Sequence, residues 1–263
     1  MRVRRGFRSL ASVLIFAAAF LLTNNTAAQT KILRSRTLDS HFIYGAVAPN
    51  AHYGFSLRAV VLKNAGWRIA EVAKRIRNAA EILRQCDVSI HRADIMLVAA
   101  PENMRKFASP FTAEAVTLAQ QFSNVNTPVL YFVDSVRDGD IAFAARYTIV
   151  RHLGLHPALR DSIWITQTLK RSEQARMYMR YYFSDHDVVA HEIAHVLGDL
   201  GHVYPTHRNL MHQSAAYLDN SLTVEQCRAI RTRNFYVHFS PVPAYHAGND
   251  MIPAALLPPP LHH

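Results

Sequence analysis

The sequence predicts a mixed α/β domain of the α+β class, in which helices lie between the strands of a twisted sheet. The first observation is the helical spacing of apolar residues between Trp67 and Gln85, with basic residues on the opposite face. The second is a set of apolar, β-compatible runs after that segment, above all Val88–Ala99 and Val129–Val136. Because helix-like and strand-like segments alternate along the chain, we expect helices to pack against one sheet.

The chain before the first helix is expected to contain little regular structure. Residues 29–56 show no clear periodicity and are expected to form an N-terminal arm or a short pro-segment. The folded domain is expected over residues 57–239, and its first candidate strand is Leu57–Lys63. The later expected elements are a helix at Thr112–Phe122, a turn at Arg137–Asp140 followed by a β-compatible stretch to Val150, and a strand at Asp161–Thr168.

Two further helices are expected from their N-terminal caps. Ser184 or Asp185 precedes a strongly apolar run, and acidic residues in the first turn suit the positive end of a helix dipole. Thr223 is followed three residues later by Gln226, which predicts a capping box at the start of a helix that contains Cys227. This last helix is expected to close the domain.

Both ends of the chain are expected to lie outside the folded domain. Residues 1–28 combine four arginines, an apolar run of about 13 residues and a small-residue end, which is typical of a secretory signal peptide. A membrane-spanning helix requires roughly 20 apolar residues, so we expect cleavage after Ala28 and no stable membrane anchor. The mature protein is then expected to be secreted or periplasmic. Recurrent prolines predict that residues 240–263 form a tail without regular structure.

The charge and the cysteine content of the chain indicate which partners and which compartment to expect. The formal net charge is +10, of which the four leader arginines contribute +4 and leave +6 for the exported chain. Because basic residues are spread among acidic ones, without interleaved aromatic residues, no nucleic-acid partner is expected. The two cysteines, Cys86 and Cys227, are expected to form a disulfide, since an exported chain meets oxidising conditions.

The strongest functional signal lies in the segment His191-Glu-Ile-Ala-His-Val-Leu-Gly-Asp-Leu-Gly-His202. On a helix, residues four positions apart project from one face, so His191 and His195 can bind the same metal ion. Glu192 lies about 100° round the helix, where it can reach a water beside that ion. Gly198 is expected to take the left-handed conformation, end the helix and turn the chain back toward the metal.

This segment resembles the metzincin zinc metallopeptidases, whose pattern is H-E-x-x-H-x-x-G-x-x-H followed by a turn that contains methionine. The similarity covers residues 185–213. It implies a metzincin-like zincin domain with an active-site helix, a Met-turn and a C-terminal helix, and Zn²⁺ as the cofactor. It also implies a protein or peptide substrate extended along an edge strand, for which Ile163–Thr168 is the candidate. Met211, in the run Asn209-Leu210-Met211, would pack beneath the metal.

The third zinc ligand has three candidates. The family pattern places its third histidine at the position of Gly201, whereas His202 comes one residue later. A bulge in the loop after Gly198 would absorb the extra residue, so His202 ranks first. His207 ranks second because it lies close to the Met-turn. Asp199 ranks third because it comes too early in the loop to point back.

The resemblance implies a secreted metalloendopeptidase that hydrolyses peptide bonds with a zinc-activated water. Glu192 would act as the general base, taking the proton of the water and passing it to the leaving amine. Two alternatives stay open. One is a gluzincin-like hydrolase with Glu225 as third ligand, which Gly198 and the close spacing of His202 disfavour. The other is a non-catalytic, zinc-stabilised binding domain, which would have no need of Glu192.

Overall fold

The structure is a computed structural model, and it describes residues 30–45, 51–123, 127–136, 141–170, 187–203, 209–212, 220–233 and 238–239. The expected signal peptide and the expected Pro-rich tail both lie outside these residues. Within the described ranges, no helix combines the length and the apolar character that crossing a membrane requires.

Strands and helices alternate along the chain, as the sequence predicts. The helices are α1 (Ser40–Tyr44), α2 (Ile69–Leu83), α3 (Ala113–Phe122), α4 (Tyr147–His152), α5 (Val188–Gly198) and α6 (Val224–Thr232), with short 3₁₀ helices at Arg84–Cys86, Glu102–Met104 and Pro157–Leu159. The strands are β1 (Lys31–Asp39), β2 (Tyr53–Leu62), β3 (Val88–Ala99), β4 (Lys106–Phe107), β5 (Val129–Phe132), β6 (Ser135–Val136), β7 (Ala142–Ala145), β8 (Ser162–Ile165) and β9 (His238–Phe239).

The main sheet has the strand order β1-β3-β2-β5-β8-β7, and β9 pairs with the start of β2. Strands β2, β3, β5 and β8 run parallel, while β1 and β7 run antiparallel to their neighbours. A separate small sheet joins β4 to β6. The interior strands β5 and β8 are buried at every residue, which agrees with their nearly uninterrupted apolar sequences.

Helices α2 and α5 lie on one face of the sheet. In the sheet, β3 and β5 lie on opposite sides of β2. The connection from β2 to β3 and the connection from β3 to β5 therefore cross the sheet in opposite directions. Right-handed crossovers therefore place the connecting helices α2 and α3 on opposite faces. Helix α5 packs against α2 and also contacts β7 and β8. It consequently lies on the α2 face, close to the edge of the sheet that β7 forms.

Three predictions from local sequence patterns agree with the structure. Val88–Ala99 forms β3 with the predicted bounds. The predicted helix within Trp67–Gln85 is α2, and its apolar face is buried. The capping box of Thr223 and Gln226 opens α6. In each case the pattern depends on residues only a few positions apart, so the sequence specifies it locally.

The predicted N-terminal arm contributes two strands to the main sheet. β1 and α1 lie within residues 29–56, and β2 begins at Tyr53 rather than at Leu57, so the domain starts earlier than predicted. β1 pairs with β3 along its length, yet every side chain of β1 except Leu38 is exposed. A strand with two solvated faces has no apolar alternation, which is why the sequence pattern did not reveal it.

Two predictions about later strands are wrong. The stretch expected to be β-compatible as far as Val150 contains β7 and then helix α4. The strand expected over Asp161–Thr168 is β8, which ends at Ile165. β8 lies between β5 and β7, so Ile163–Thr168 is not the edge strand. An apolar run indicates burial, but it does not tell which strand pairs on each side.

The predicted disulfide between Cys86 and Cys227 is confirmed. It joins the 3₁₀ helix after α2 to helix α6, across a sequence separation of 141 residues. Nη1 of Arg231, also in α6, donates a hydrogen bond of 3.0 Å to the carbonyl oxygen of Cys86. These two contacts fix α6 against the end of α2.

Removal of the disulfide by Cys86→Ala together with Cys227→Ala is expected to lower the free energy of unfolding by about 2 to 5 kcal/mol, because the long closed loop restricts the unfolded chain. Denaturant unfolding followed by circular dichroism measures this difference. A reductant should destabilise the wild-type protein by a similar amount and leave the double variant unchanged. A double variant as stable as the oxidised wild-type protein would contradict the prediction.

Candidate metal centre

Helix α5 carries two of the predicted ligands in a buried position. Its N-cap is Asp187, whose Oδ1 accepts a hydrogen bond of 2.9 Å from the amide of Ala190. The predicted caps, Ser184 and Asp185, lie outside the described residues, and the cap falls later in the chain than either of them. From Val189 onward every residue of α5 is buried. The helix therefore passes through the core and keeps its polar side chains out of bulk water.

Three imidazole nitrogens converge on one point. Nε2 of His191 and Nε2 of His195, one helical turn apart, are separated by 3.0 Å. Nε2 of His202, in the loop after α5, lies 3.1 Å from Nε2 of His195 and 3.3 Å from Nε2 of His191. Across the described ranges, this is the one group of three or more His, Cys, Asp or Glu residues whose ligand atoms come so close together.

The other ring nitrogens of two of these histidines contact backbone carbonyls. Nδ1 of His191 lies 2.5 Å from the carbonyl oxygen of Leu210, and Nδ1 of His195 lies 2.6 Å from that of Leu200. A carbonyl oxygen only accepts hydrogen bonds, so both Nδ1 atoms must carry the proton. Each neutral ring then keeps its lone pair on Nε2, which is the nitrogen that faces the other histidines.

Burial favours the neutral form of the rings. Desolvation lowers the pKa of His195 to about 4, with repulsion by His202 and Arg146 acting in the same direction and the hydrogen bond to Leu200 opposing it. His202 is more exposed, yet partial burial of its ring and the nearby Arg146 and His212 also lower its pKa. Neutral imidazole is the form that binds a metal, so these rings are ready to act as ligands at neutral pH.

The donor set fits a metal ion. Three lone pairs that face one another repel unless a cation lies among them. Four ligands arranged tetrahedrally around zinc, with nitrogen at about 2.0–2.1 Å, are separated from one another by about 3.3 Å. The distances of 3.0–3.3 Å between the three Nε2 atoms come close to this separation. His191, His195 and His202 could therefore hold a metal ion.

The turn that returns His202 to the other histidines is made by Asp199 rather than by Gly198. Asp199 has the left-handed conformation, with φ 48° and ψ 35°, which aspartate tolerates better than most residues. The prediction that Gly198 takes this conformation is wrong. Gly198 is required for packing instead, because a Cβ there would lie 2.7 Å from Cγ of Leu200 and 3.2 Å from Cγ1 of Ile230.

Asp199 is anchored to the start of helix α4. Its Oδ1 accepts a hydrogen bond of 3.2 Å from the amide of Thr148, and its Oδ2 accepts one from the hydroxyl of Thr148. Nη1 of Arg146 donates to the carbonyl oxygen of Asp199 at 2.8 Å. The carboxylate thus caps α4 and does not belong to the histidine group. Of the other candidate ligands, His207 lies outside the described residues and Glu225 is exposed at the start of α6.

The predicted turn at Asn209-Leu210-Met211 is tied to the loop that carries His202. The amide of Met211 donates a hydrogen bond of 2.8 Å to Oδ1 of Asn209, so the asparagine side chain stabilises the turn. The amide of Val203 donates to the carbonyl oxygen of Met211 at 3.0 Å. Met211 itself is fully buried. The turn and the ligand loop consequently support each other.

The residues that support the site carry almost no signal in the sequence. Arg146 and Thr148 are separated from Asp199 by 53 and 51 residues, and no spacing rule connects them. Leu200 and Leu210 contribute only their backbone carbonyls, which a side-chain pattern cannot indicate. Only the hydrogen bond from the amide of Met211 to Oδ1 of Asn209 could have been expected, because asparagine side chains often accept from the amide two residues later in the chain.

Comparison with protein-family models finds no match for the chain, and no curated protein matches it significantly in sequence. The resemblance to metzincins therefore rests on the motif within residues 185–213. The chemistry of the site has to be derived from its own residues, since fold alone does not define function.

The variant His202→Ala is expected to weaken zinc binding by at least about a hundredfold, because it removes one of three nitrogen donors. Competition with a chromogenic chelator measures the affinity of the purified protein. The matched control is His152→Ala, which removes an exposed histidine on α4 and should leave zinc affinity unchanged. If His207→Ala strips the metal and His202→Ala does not, the assignment of the third ligand is wrong.

The variant Asp199→Ala is expected to lower the free energy of unfolding by about 1 to 2 kcal/mol, because it removes the cap on α4 and places alanine in a left-handed conformation. Zinc affinity should also fall, since the loop from Leu200 to His202 loses its anchor. Asp199→Asn is the control, because asparagine tolerates this conformation and keeps an oxygen that accepts from Thr148. Thermal unfolding and chelator competition test both effects. Equal zinc affinities for the two variants would contradict the anchoring role.

Proposed function

We propose that the chain is a zinc-dependent, metzincin-like endopeptidase. The observation that carries the proposal is the convergence of three Nε2 atoms, from His191, His195 and His202. A buried glutamate, Glu192, directly follows the first of these histidines on α5. Zn²⁺ held by these histidines would supply a Lewis acid that lowers the pKa of a water and polarises the substrate carbonyl.

Glu192 is the proposed general base. It follows His191 directly on α5, so its Cβ projects about 100° round the helix from that ligand. The residue is only 7% exposed, and carboxylates are rarely buried to this degree unless they have a partner. In the proposed reaction it takes the proton of the attacking water and passes it to the leaving amine. Hydrolysis then needs no covalent intermediate on the enzyme.

The proposed substrate is an extended peptide that pairs with β7. Ile141 and Ala145 direct their carbonyl oxygens toward the β8 side, where they accept hydrogen bonds from Thr166 and Asp161. Backbone groups alternate along an antiparallel strand, so those of Ala142 and Ala144 face the outer edge of the sheet. β7 also contacts α5, the helix of the metal centre. A strand added at this edge would therefore lie close to the helix that carries His191 and His195.

The ligand set favours catalysis over a purely structural zinc. A structural site usually closes with four protein ligands, whereas a catalytic site keeps one position for water or substrate. In the part of the chain that the structure describes, three residues meet. Glu225, the ligand of the gluzincin alternative, is exposed on α6 and is not among them.

We further propose that the mature protein acts outside the cytoplasm. The Cys86–Cys227 disulfide supports this location, because structural disulfides form and persist in oxidising compartments. The signal-peptide pattern of residues 1–28 supports the same location.

The variant Glu192→Gln is expected to lose at least about a hundredfold in the rate of peptide hydrolysis, the usual scale for loss of a general base. Zinc content should stay at the wild-type level, because the three histidines are unchanged. The matched control is Glu225→Gln, which neutralises an exposed carboxylate and should alter neither zinc content nor rate. Mass-spectrometric analysis of a diverse peptide library gives the rates.

Two outcomes would overturn parts of this proposal. A zinc-loaded wild-type protein that cleaves no peptide in the library would favour the binding-domain alternative. Loss of zinc in Glu225→Gln would favour the gluzincin alternative.

A further inference from the structure

A buried pair of carboxamides links helix α6 to the turn beside the metal centre. Nδ2 of Asn209 donates a hydrogen bond of 2.9 Å to Oε1 of Gln226, and Nε2 of Gln226 donates one of 3.1 Å to Oδ1 of Asn209. The two residues are 5% and 8% exposed. Buried, reciprocal hydrogen bonds of this kind hold both side chains in one orientation.

Each carboxamide also makes a contact with the backbone. Oε1 of Gln226 accepts from the amide of Thr223 at 2.8 Å, which is the capping box of α6. Oδ1 of Asn209 accepts from the amide of Met211 at 2.8 Å. Gln226 therefore joins the start of α6 to the Asn209 turn, and the neighbouring Cys227 fixes this end of α6 through the disulfide.

The turn presents a backbone carbonyl to a ligand histidine. Leu210 lies between Asn209 and Met211, and its carbonyl oxygen is the partner of Nδ1 of His191. The amide of Leu210 donates to the carbonyl oxygen of Ser221 at 2.7 Å, which ties the turn to the segment just before α6. Hydrogen bonds to the second nitrogen of a ligand histidine set the orientation and basicity of the ring.

We propose that Gln226 is a positioning residue for the metal centre, acting through Asn209 and the carbonyl of Leu210 on the imidazole of His191. This inference rests on the metal site of the proposed function and not on peptide hydrolysis. Under this proposal, α6 and its disulfide contribute to metal affinity, because they hold Gln226 in place, as well as to packing.

The hydrogen bonds between Asn209 and Gln226 distinguish a positioning role of Gln226 from a role in capping α6 alone. A capping box accepts glutamate as readily as glutamine, so a residue that only caps α6 would tolerate Gln226→Glu. A carboxylate cannot donate to Oδ1 of Asn209, and one of its oxygens would face that atom. A flip of the Asn209 amide would not help, because Oδ1 would then face the other carboxylate oxygen and the amide of Met211 would lose its acceptor.

The experiment compares the zinc affinity of Gln226→Glu with that of Thr223→Ala in the full-length protein. Gln226→Glu should weaken zinc binding by about tenfold, the lower end of the range for residues that support a ligand. Thr223→Ala removes the hydroxyl that accepts from the amide of Gln226 but leaves the carboxamide pair intact. It should lower the Tm while zinc affinity stays within about twofold of wild type.

Two further measurements keep the test decisive. Gln226→Met, which has a similar length and no hydrogen-bonding amide, should also weaken zinc binding if Gln226→Glu does not fold. The visible absorption of the Co²⁺-loaded protein should shift in the Gln226 variants and not in Thr223→Ala, because only the former change the setting of His191.

Zinc affinity in the Gln226 variants equal to that in Thr223→Ala would overturn the positioning role. A wild-type protein that binds zinc but cleaves no peptide would overturn the endopeptidase proposal and leave this inference standing. A wild-type protein that binds no zinc in the competition assay would overturn both.

Discussion

The hydrogen bonds from Nδ1 of His191 and Nδ1 of His195 to backbone carbonyls are the interactions on which the site depends. Each bond places the proton of the ring on Nδ1 and leaves the lone pair on Nε2. Without them the rings could rotate or adopt the other tautomer, and the three Nε2 atoms would not face one another at 3.0–3.3 Å. The carbonyls belong to Leu200 and Leu210, so the geometry of the histidine cluster depends on two loops as well as on α5.

The two loops are held by different parts of the fold. Asp199 ties the first loop to α4, through Thr148 and Arg146. Arg146 directly follows β7, so the edge strand proposed to bind the peptide shares an anchor with the loop that carries His202. The second loop is tied to α6 by a buried carboxamide pair, and the disulfide holds α6 against the end of α2. The contacts that hold the three histidines thus extend from β7, at the edge of the sheet, to the face on which α2 lies.

Burial of α5 links the fold to the chemistry of the site. The helix packs against the sheet, α2 and α6, and from Val189 onward it is buried throughout, including its polar residues His191, Glu192 and His195. The same burial lowers the pKa of His195 to about 4, which keeps its ring neutral, and excludes most water from Glu192. Burial thus leaves the His195 ring neutral, with its lone pair on the nitrogen that faces the other two histidines.

Local sequence patterns were sufficient to predict the features that depend on neighbouring residues. The periodicity of α2, the apolar run of β3, the capping box of α6 and the one-turn spacing of His191 and His195 each depend on residues a few positions apart. The edge position of β7, the presence of β1 and the anchoring of the two loops at the histidine cluster could not be predicted from local patterns. These features arise from strand pairing and hydrogen bonds between segments more than about 15 residues apart, and such contacts form only when the whole chain packs. Asp199 is the clearest case that local patterns cannot predict. Its side chain anchors the loop through Thr148, which lies 51 residues earlier in the chain.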